Sequence, residues 1–369
     1  MIDTDTTKIN LKNVIYPAAA LLILAVAGIF VYNRAVSDPF AVSYNFAESK
    51  VVGAFIAMFF IVFFSELKVV NKLRMILVCI TGMVAIGMLL WPVAAGSSKF
   101  DAICFIGGTL TFQNSILLIA ASFLAGMAGC ALGWASSPMY GSLAALTGFG
   151  LWGLRTGQLS SLLMYSSTAQ QQAQVYTSFR WEIFFWLAVV IAAHYGSFLT
   201  AKLFGSQRLH TPQPEVMFNW TEKAFIVPLA VCSIAGYIIS RYLVLGIMLP
   251  VENFGIVHHQ PLPQQIAFGL IAGFGIAAFL VRKHFKSSVE ILYLSVAVAA
   301  FFTYVLLAKD STLETVNKFL PPSYFSSPMT AVLPMQFIIY GCLGVWGGWF
   351  TSICMDKKNE ENQTEQNQV

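Results

Sequence analysis

The chain of 369 residues is 57% hydrophobic and only 10% charged, and its formal net charge is +4. Soluble domains usually contain about a quarter charged residues, so this composition excludes an ordinary water-soluble globular protein. The small positive charge also excludes the strongly basic surface of a nucleic-acid-binding protein, because the cations lie mainly at the ends of apolar segments.

Ten apolar segments follow one another along the chain, and most of them are long enough to cross a bilayer. A helix needs roughly 20 apolar residues to span the hydrocarbon core. The predicted spans are residues 14–32, 49–66, 75–95, 115–135, 138–154, 181–204, 224–249, 264–281, 289–308 and 331–354. The second and fifth are the weakest, because their apolar cores are short. The run 102–112 is too short to cross, so we interpret it as an interfacial or re-entrant segment.

These segments predict an all-α fold, a polytopic integral membrane helix bundle of about ten transmembrane helices. Residues 1–355 are predicted to form its single transmembrane domain. The polar residues 356–369 are predicted to be a disordered cytoplasmic tail.

The distribution of Lys and Arg predicts the orientation of the bundle. With the N-terminus placed inside, 13 of the 21 basic residues lie on the inner side, and 8 lie on the outer side or at outer helix ends. The clusters at residues 68–74 and 282–286 both fall inside, as the positive-inside rule expects. If the short fifth span turned back instead of crossing, the bias would vanish, with 10 basic residues inside and 11 outside. We therefore predict that both termini lie inside.

Glycine pairs with GxxxG spacing occur in three of the predicted spans. This spacing puts two small residues on one helix face, so that two helix backbones can approach closely. The pairs are Gly129 with Gly133, Gly269 with Gly273, and Gly344 with Gly348. We predict that these six glycines pack helix against helix.

His194 is an ionisable residue near the middle of the predicted span 181–204. Ionisable side chains are costly within a membrane, so the imidazole should face the bundle interior or a cavity. One interpretation is a proton relay or a substrate contact. The alternative is a neutral histidine that is hydrogen-bonded to a neighbouring backbone carbonyl or serine.

Four more ionisable residues are predicted to gather at the outer face, namely Arg155, Arg180, Glu182 and Arg241. Arg241 stays charged at any relevant pH, and Glu182 is the nearest acid available to pair with it. Three cations beside one anion would favour an anionic ligand or a lipid headgroup. The alternative is that the arginines anchor helix ends at the interface, with Trp152, Trp181 and Trp186 as an aromatic belt.

Motifs for catalysis, metals and cofactors are missing from the sequence. The six cysteines show no CxxC spacing, and His258 and His259 are adjacent and lack a third ligand, so we predict no metal site. The sequence contains no HExxH, GxSxG or Walker lysine motif. We expect no cofactor, and the balance is against an enzyme.

Three functions fit these observations. The first is a secondary transporter or permease with a polar site near His194, Glu182 and Arg241 that opens to the outer face. The second is a membrane enzyme that acts on lipid or lipid-linked substrates at the outer leaflet. The third is a non-catalytic scaffold or assembly subunit, which the glycine faces would favour.

The expected partners follow from the predicted class. They are membrane lipids, a small molecule or an anionic lipid as ligand, and either further copies of the chain or another membrane protein; no nucleic acid is expected. The predicted location is a bacterial cytoplasmic (inner) membrane, because no predicted loop is long enough to form a folded extramembrane domain.

Overall fold

The computed structural model describes residues 69–94, 101–133, 139–163, 166, 168–203, 222–244, 249–253, 256–307, 309–319, 325 and 327–366. Within these residues, seven helices are long and apolar enough to cross a membrane. The chain is therefore a multi-pass membrane protein. The predicted spans 14–32 and 49–66 lie outside the described residues.

In the described part of the chain, the elements in order are α1 (Val69–Gly82), a π-helical turn (Met83–Leu89), a 3-10 turn (Trp91–Val93), α2 (Phe112–Leu132), α3 (Met139–Arg155), α4 (Leu159–Leu163), α5 (Ala169–Leu203), α6 (Glu222–Val244), β1 (Leu249–Asn253), β2 (Ile256–Gln260), α7 (Pro263–Phe285), α8 (Val289–Leu307), α9 (Asp310–Phe319), a second 3-10 turn (Pro328–Ala331) and α10 (Pro334–Gln366). The two strands form a short antiparallel hairpin, in which Leu249 lies opposite Gln260. The rest of this regular structure is helical.

Each candidate membrane-spanning helix overlaps one of the predicted spans. The seven are Val70–Val93, Phe112–Leu132, Ala169–Leu203, Phe225–Val244, Pro263–Phe285, Val289–Leu307 and Pro334–Asp356. The largest difference is in α5, which begins twelve residues before the predicted start at 181. The added residues, 169–180, are polar and rich in Gln. Gln has a high helix propensity, so these residues extend the helix beyond the apolar segment.

The helix α3 coincides with the weak fifth span, predicted at 138–154, and has only 17 residues. Residues 140–154 are all buried, so α3 is enclosed by other helices of the bundle. A helix that does not face lipid needs no long apolar run, because its polar groups can bond to protein. For example, the Thr147 hydroxyl donates to the carbonyl oxygen of Leu143 over 2.9 Å.

The last helix, α10, continues to Gln366 and so differs from the disordered tail predicted from residue 356. The added residues are mainly Lys, Glu and Gln, which have high helix propensities. A polar helix, α9, also lies in the predicted outer loop after α8.

The long helices alternate in direction, so their connections lie at two ends of the bundle. One end carries residues 101–110, α4 and residues 327–333. The other carries the start of α1 and the turn between α7 and α8. Following the predicted orientation, we name these the outer end and the inner end.

Two helices that are not consecutive, α2 and α5, pack side by side in the same direction. The Ser122 hydroxyl donates to the carbonyl oxygen of Val189 over 2.7 Å. Four residues later on both helices, a Cβ atom at Gly126 would meet the backbone of Ala193. Because both helices advance together, the contact is parallel, and Gly126 allows the close approach.

The helices α7 and α10 repeat this arrangement. A Cβ atom at Gly344 would meet the backbone of Ile271, and four residues later one at Gly348 would meet the backbone of Gly275. We divide the long helices of the described residues in chain order into a first unit, α1, α2, α3 and α5, and a second unit, α6, α7, α8 and α10, although α8 packs against α5 as extensively as against α6. In each unit the second and fourth helices pack in parallel. We call the contact of α3 and α5 with α8 and α10 the unit interface.

The six glycines predicted to pack helices all lie where two helices come close. Gly129 and Gly133 face α3, Gly269 and Gly273 face α6, and Gly344 and Gly348 face α7. The GxxxG pattern missed Gly126 and Gly196, which pack α2 against α5, because the residues four positions away are not glycine.

Candidate functional site at the interface of the two helical units

His194 of α5 and Glu290 of α8 meet across the unit interface near its inner end. The imidazole Nε2 lies 3.0 Å from the carboxylate Oε1. The His194 side chain is 11% exposed and that of Glu290 is 43% exposed, so Glu290 is the more accessible member of the pair. The other imidazole nitrogen, Nδ1, is buried and has no hydrogen-bond partner among the described residues.

Aromatic residues surround the imidazole of His194. The ring centroid of Tyr293, which is only 1% exposed, lies 6.4 Å away, and that of the exposed Tyr195 lies 6.3 Å away. The start of α8 is held by α10, because Trp349 Nε1 donates to the carbonyl oxygen of Ser287 over 3.2 Å. The pair therefore sits between packed helices, with Glu290 partly exposed.

Glu182 lies on the same helix as His194, towards the outer end, and is 1% exposed. Its Oε1 accepts a hydrogen bond from Trp186 Nε1 over 3.0 Å, and its Oε2 accepts one from the backbone N–H of Phe105 over 3.2 Å. Twelve residues of helix separate it from His194, which corresponds to about 18 Å along α5. The unit interface thus has a buried acid near one end and a histidine–glutamate pair near the other.

The residues that Glu182 holds, 101–110, form a compact non-helical segment at the outer end. Ile103 and Cys104 are almost fully buried. The backbone N–H of Ile103 donates to the Thr156 hydroxyl over 2.9 Å, and that of Gly157 donates to the carbonyl oxygen of Asp101 over 3.1 Å. The predicted re-entrant run 102–112 therefore packs against α5 and the residues that follow α3, and no helix forms before α2 begins at Phe112.

The side chain of Cys104 is buried within this segment. Burial, together with the nearby Glu182 charge, raises the pKa of its thiol to about 12. Thiol reagents attack the thiolate, so this cysteine should be inert while the segment stays packed.

The predicted pair of Glu182 with Arg241 is not formed. Arg241 is exposed on α6, which packs against α7 and α8 in the second unit. Arg180 has a buried Nε with no hydrogen-bond partner in the described ranges. Arg241 and Glu182 were expected to pair from their predicted depth in the membrane, which does not show which helices are neighbours.

Arg155 has a structural contact that the sequence did not predict. Its guanidinium carbon lies 4.2 Å from the ring centroid of Trp91, and its Nη1 donates to the carbonyl oxygen of Gly87 over 3.0 Å. Gly87 belongs to the π-helical turn, and Trp152 Nε1 donates to the carbonyl oxygen of Ile86 in the same turn over 2.8 Å. A π-helical turn leaves carbonyl groups available to such donors.

We expect Arg155→Leu to lower the free energy of unfolding by about 2 kcal/mol, since it removes a cation–π contact and a hydrogen bond from a charged donor. Lys309→Leu is the matched control and should change it by less than about 0.5 kcal/mol, because that side chain is exposed outside the spanning helices. Unfolding in mixed micelles with increasing SDS measures both values. Equal losses for the two variants would contradict the assigned role of Arg155.

The predicted aromatic belt is wrong for two of its three residues. Trp152 and Trp186 are fully buried, whereas Trp181 is 70% exposed. The buried pair packs on opposite sides of Phe149, with ring centroids 5.2 Å and 5.8 Å from it. Only Trp181 is placed as a belt residue would be.

The sequence missed several polar residues at the unit interface. Tyr304 donates to the carbonyl oxygen of Val332 over 2.8 Å, and Gln336 Nε2 donates to that of Gly153 over 2.9 Å. The contact of His194 with Glu290 was also missed. The place of Glu290 in the first turn of α8 does not reveal which helix it faces.

Comparison with known proteins finds no match: no protein-family model, no curated protein and no solved structure matches this chain. Within the described residues, no group of three or more His, Cys, Asp or Glu side chains is placed to hold a metal ion.

Proposed function

We propose that this protein is a secondary transporter or permease whose route follows the unit interface. The observation that carries the proposal is the pair of His194 and Glu290, which joins the two units at a distance of 3.0 Å. Transporters commonly bind substrates and coupling ions between structural repeats, including repeats of parallel orientation. The two units here share the parallel packing of their second and fourth helices, and the pair lies between them.

The chemistry of the pair suits a site that exchanges protons. A neutral imidazole with its proton on Nε2 donates to the Glu290 carboxylate, and Nδ1 then remains free to accept a proton. Glu290 is half-exposed, so protons can reach the pair from the inner end. Ionisable side chains in membrane helices often belong to such relays.

The buried Glu182 supports the same proposal. It supplies a buried carboxylate on the helix that carries His194, twelve residues nearer the outer end. This arrangement differs from the expected outward-opening site at His194, Glu182 and Arg241. We propose instead that the site reaches water at the inner end through Glu290, while Glu182 acts at the outer end.

The other two functions lose the observations that favoured them. The lipid enzyme loses the predicted pairing of Arg241 with Glu182, because their helices belong to different units. A scaffold was favoured by the six glycines, and all six pack against other helices of the same chain. We propose a bacterial cytoplasmic membrane as the location, with membrane lipids and a small-molecule substrate as partners.

The test uses proteoliposomes that enclose the pH-sensitive dye pyranine. Amino acids, carboxylates, sugars and organic cations are added one at a time, and we expect one class to produce a pH change inside the vesicles. Glu290→Gln should reduce that change about tenfold or more, because a hydrogen bond to a charged group contributes about 1.5–3 kcal/mol. His194→Gln should reduce it as well.

The matched control is Glu314→Gln, since Glu314 is an exposed acid on α9. Its pH response should equal that of the unaltered protein. The proposal fails if no solute class moves protons, or if Glu290→Gln retains the full response to a class that does.

A further inference from the structure

The two ends of the unit interface differ in exposure. At the outer end, residues 328–333 are buried, and the carbonyl groups of Thr330 and Val332 accept hydrogen bonds from Tyr176 and Tyr304. Residues 101–110 pack there against α5 and against the residues that follow α3. At the inner end, Glu290 is 43% exposed, so the unit interface is more enclosed at its outer end than at Glu290.

Residues 101–110 are joined to the bundle by hydrogen bonds and by apolar packing. Hydrogen bonds at Ile103, Phe105 and Gly157 join them to α5 and to the residues that follow α3. Within the segment, the Thr109 hydroxyl donates to backbone carbonyl groups and accepts from the backbone N–H of Cys104 over 3.0 Å. Ile103 and Cys104 are almost fully buried, so opening the segment would break these bonds and expose Cys104.

Glu182 makes the one bond among these three whose acceptor is ionisable. Its two oxygens each accept one hydrogen bond, from Trp186 and from Phe105. Glu182 therefore connects the backbone of the segment to the indole of Trp186 within α5. The aromatic contact of Phe105 with Phe185, at 5.2 Å between ring centroids, places the segment directly on α5.

We propose that residues 101–110 are the outer gate of this transporter and that Glu182 is the latch that holds the gate shut. The inference rests on the proposed transport function. It assigns a positioning role to Glu182, which acts through the backbone of Phe105. Since α5 also carries His194, a movement of this helix at the inner pair would displace the latch.

Cys104 gives a test that needs no substrate. In sealed right-side-out vesicles, a membrane-impermeant maleimide should label it slowly, because it is buried inside the gate. Glu182→Leu should raise the labelling rate roughly tenfold to a hundredfold, which corresponds to the loss of one hydrogen bond to a charged group. Glu314→Leu, which removes an exposed acid, should leave the rate unchanged.

Cys79 provides the control for folding, since it is 2% exposed within α1. Mass spectrometry should find Cys104 labelled and Cys79 unlabelled in Glu182→Leu. If Cys79 is labelled too, Thr156→Val gives the same test by removing the neutral acceptor of Ile103, with Thr303→Val as its matched control. The gate proposal is overturned if the maleimide fails to label Cys104 faster in a variant in which Cys79 stays unlabelled.

A cross-link separates the gate from the proposed function. Phe105→Cys with Phe185→Cys, joined by a short bifunctional maleimide, should abolish the pyranine response while each single variant retains it. A full response in the cross-linked protein overturns the gate and leaves the transport proposal standing. If none of the solutes makes the unlinked protein move protons, the transport proposal fails, whatever the labelling of Cys104 shows.

Discussion

Gly348→Ala is expected to lower the free energy of unfolding by about 3 kcal/mol or more, the upper part of the range for overpacked sites. A Cβ atom at this position would meet the carbonyl group of Gly275 on α7, and the backbone nitrogen of Phe279 would lie only 3.0 Å away. Backbone atoms cannot rotate aside as a side chain can, so the two parallel helices would have to separate. The unit interface would shift with them, since α10 belongs to both contacts.

Gly347→Ala is the control for this prediction. A Cβ atom there meets nothing within 4 Å, so the substitution adds no clash. It should be neutral or stabilise the helix by up to about 1 kcal/mol, because alanine has the higher helix propensity. Unfolding of both variants in mixed micelles with increasing SDS measures the difference. Equal stability of the two would show that α7 and α10 do not approach as closely as described.

Trp186→Phe is expected to cost about 3 kcal/mol. The indole is fully buried, and its Nε1 donates to the carboxylate of Glu182. The substitution removes a hydrogen bond to a charged group, worth about 1.5–3 kcal/mol, and leaves a small cavity beside Phe149. The carboxylate would keep only its bond from Phe105 among the described partners.

Trp181→Phe is the matched variant on the same helix. This indole is 70% exposed, so its loss should change the free energy of unfolding by less than about 0.5 kcal/mol. Parallel SDS titrations distinguish the two. Should Trp186→Phe prove as mild as Trp181→Phe, the buried carboxylate would not depend on its indole partner.

Much of the fold could be predicted from the apolar segments alone. The candidate spans overlap the predicted ones because lipid requires each crossing segment to be long, apolar and helical, and that requirement is local. The same requirement made the short helix α3 difficult to predict. A helix that is enclosed by protein does not contact lipid, so it need not be long and apolar. The extent of α5 and α10 depended on helix propensity in polar connectors, where apolar character gives no signal.

The candidate site could be predicted only in part. His194 was expected to face the interior because burial against lipid is costly, and it does so. Its partner Glu290 is 96 residues away in sequence, so no spacing rule could join them. Arg241 and Glu182 were paired only by predicted depth, and their helices belong to different units.

Patterns along the chain establish the class of this protein, since the choice between lipid and water is made segment by segment. The tertiary structure decides which helices are neighbours, because parallel packing through Gly126 and Gly348 joins helices that are far apart in sequence. It therefore also decides which ionisable side chains meet. The pair of His194 and Glu290, and the bond of Glu182 to Phe105, exist only once those helices have packed.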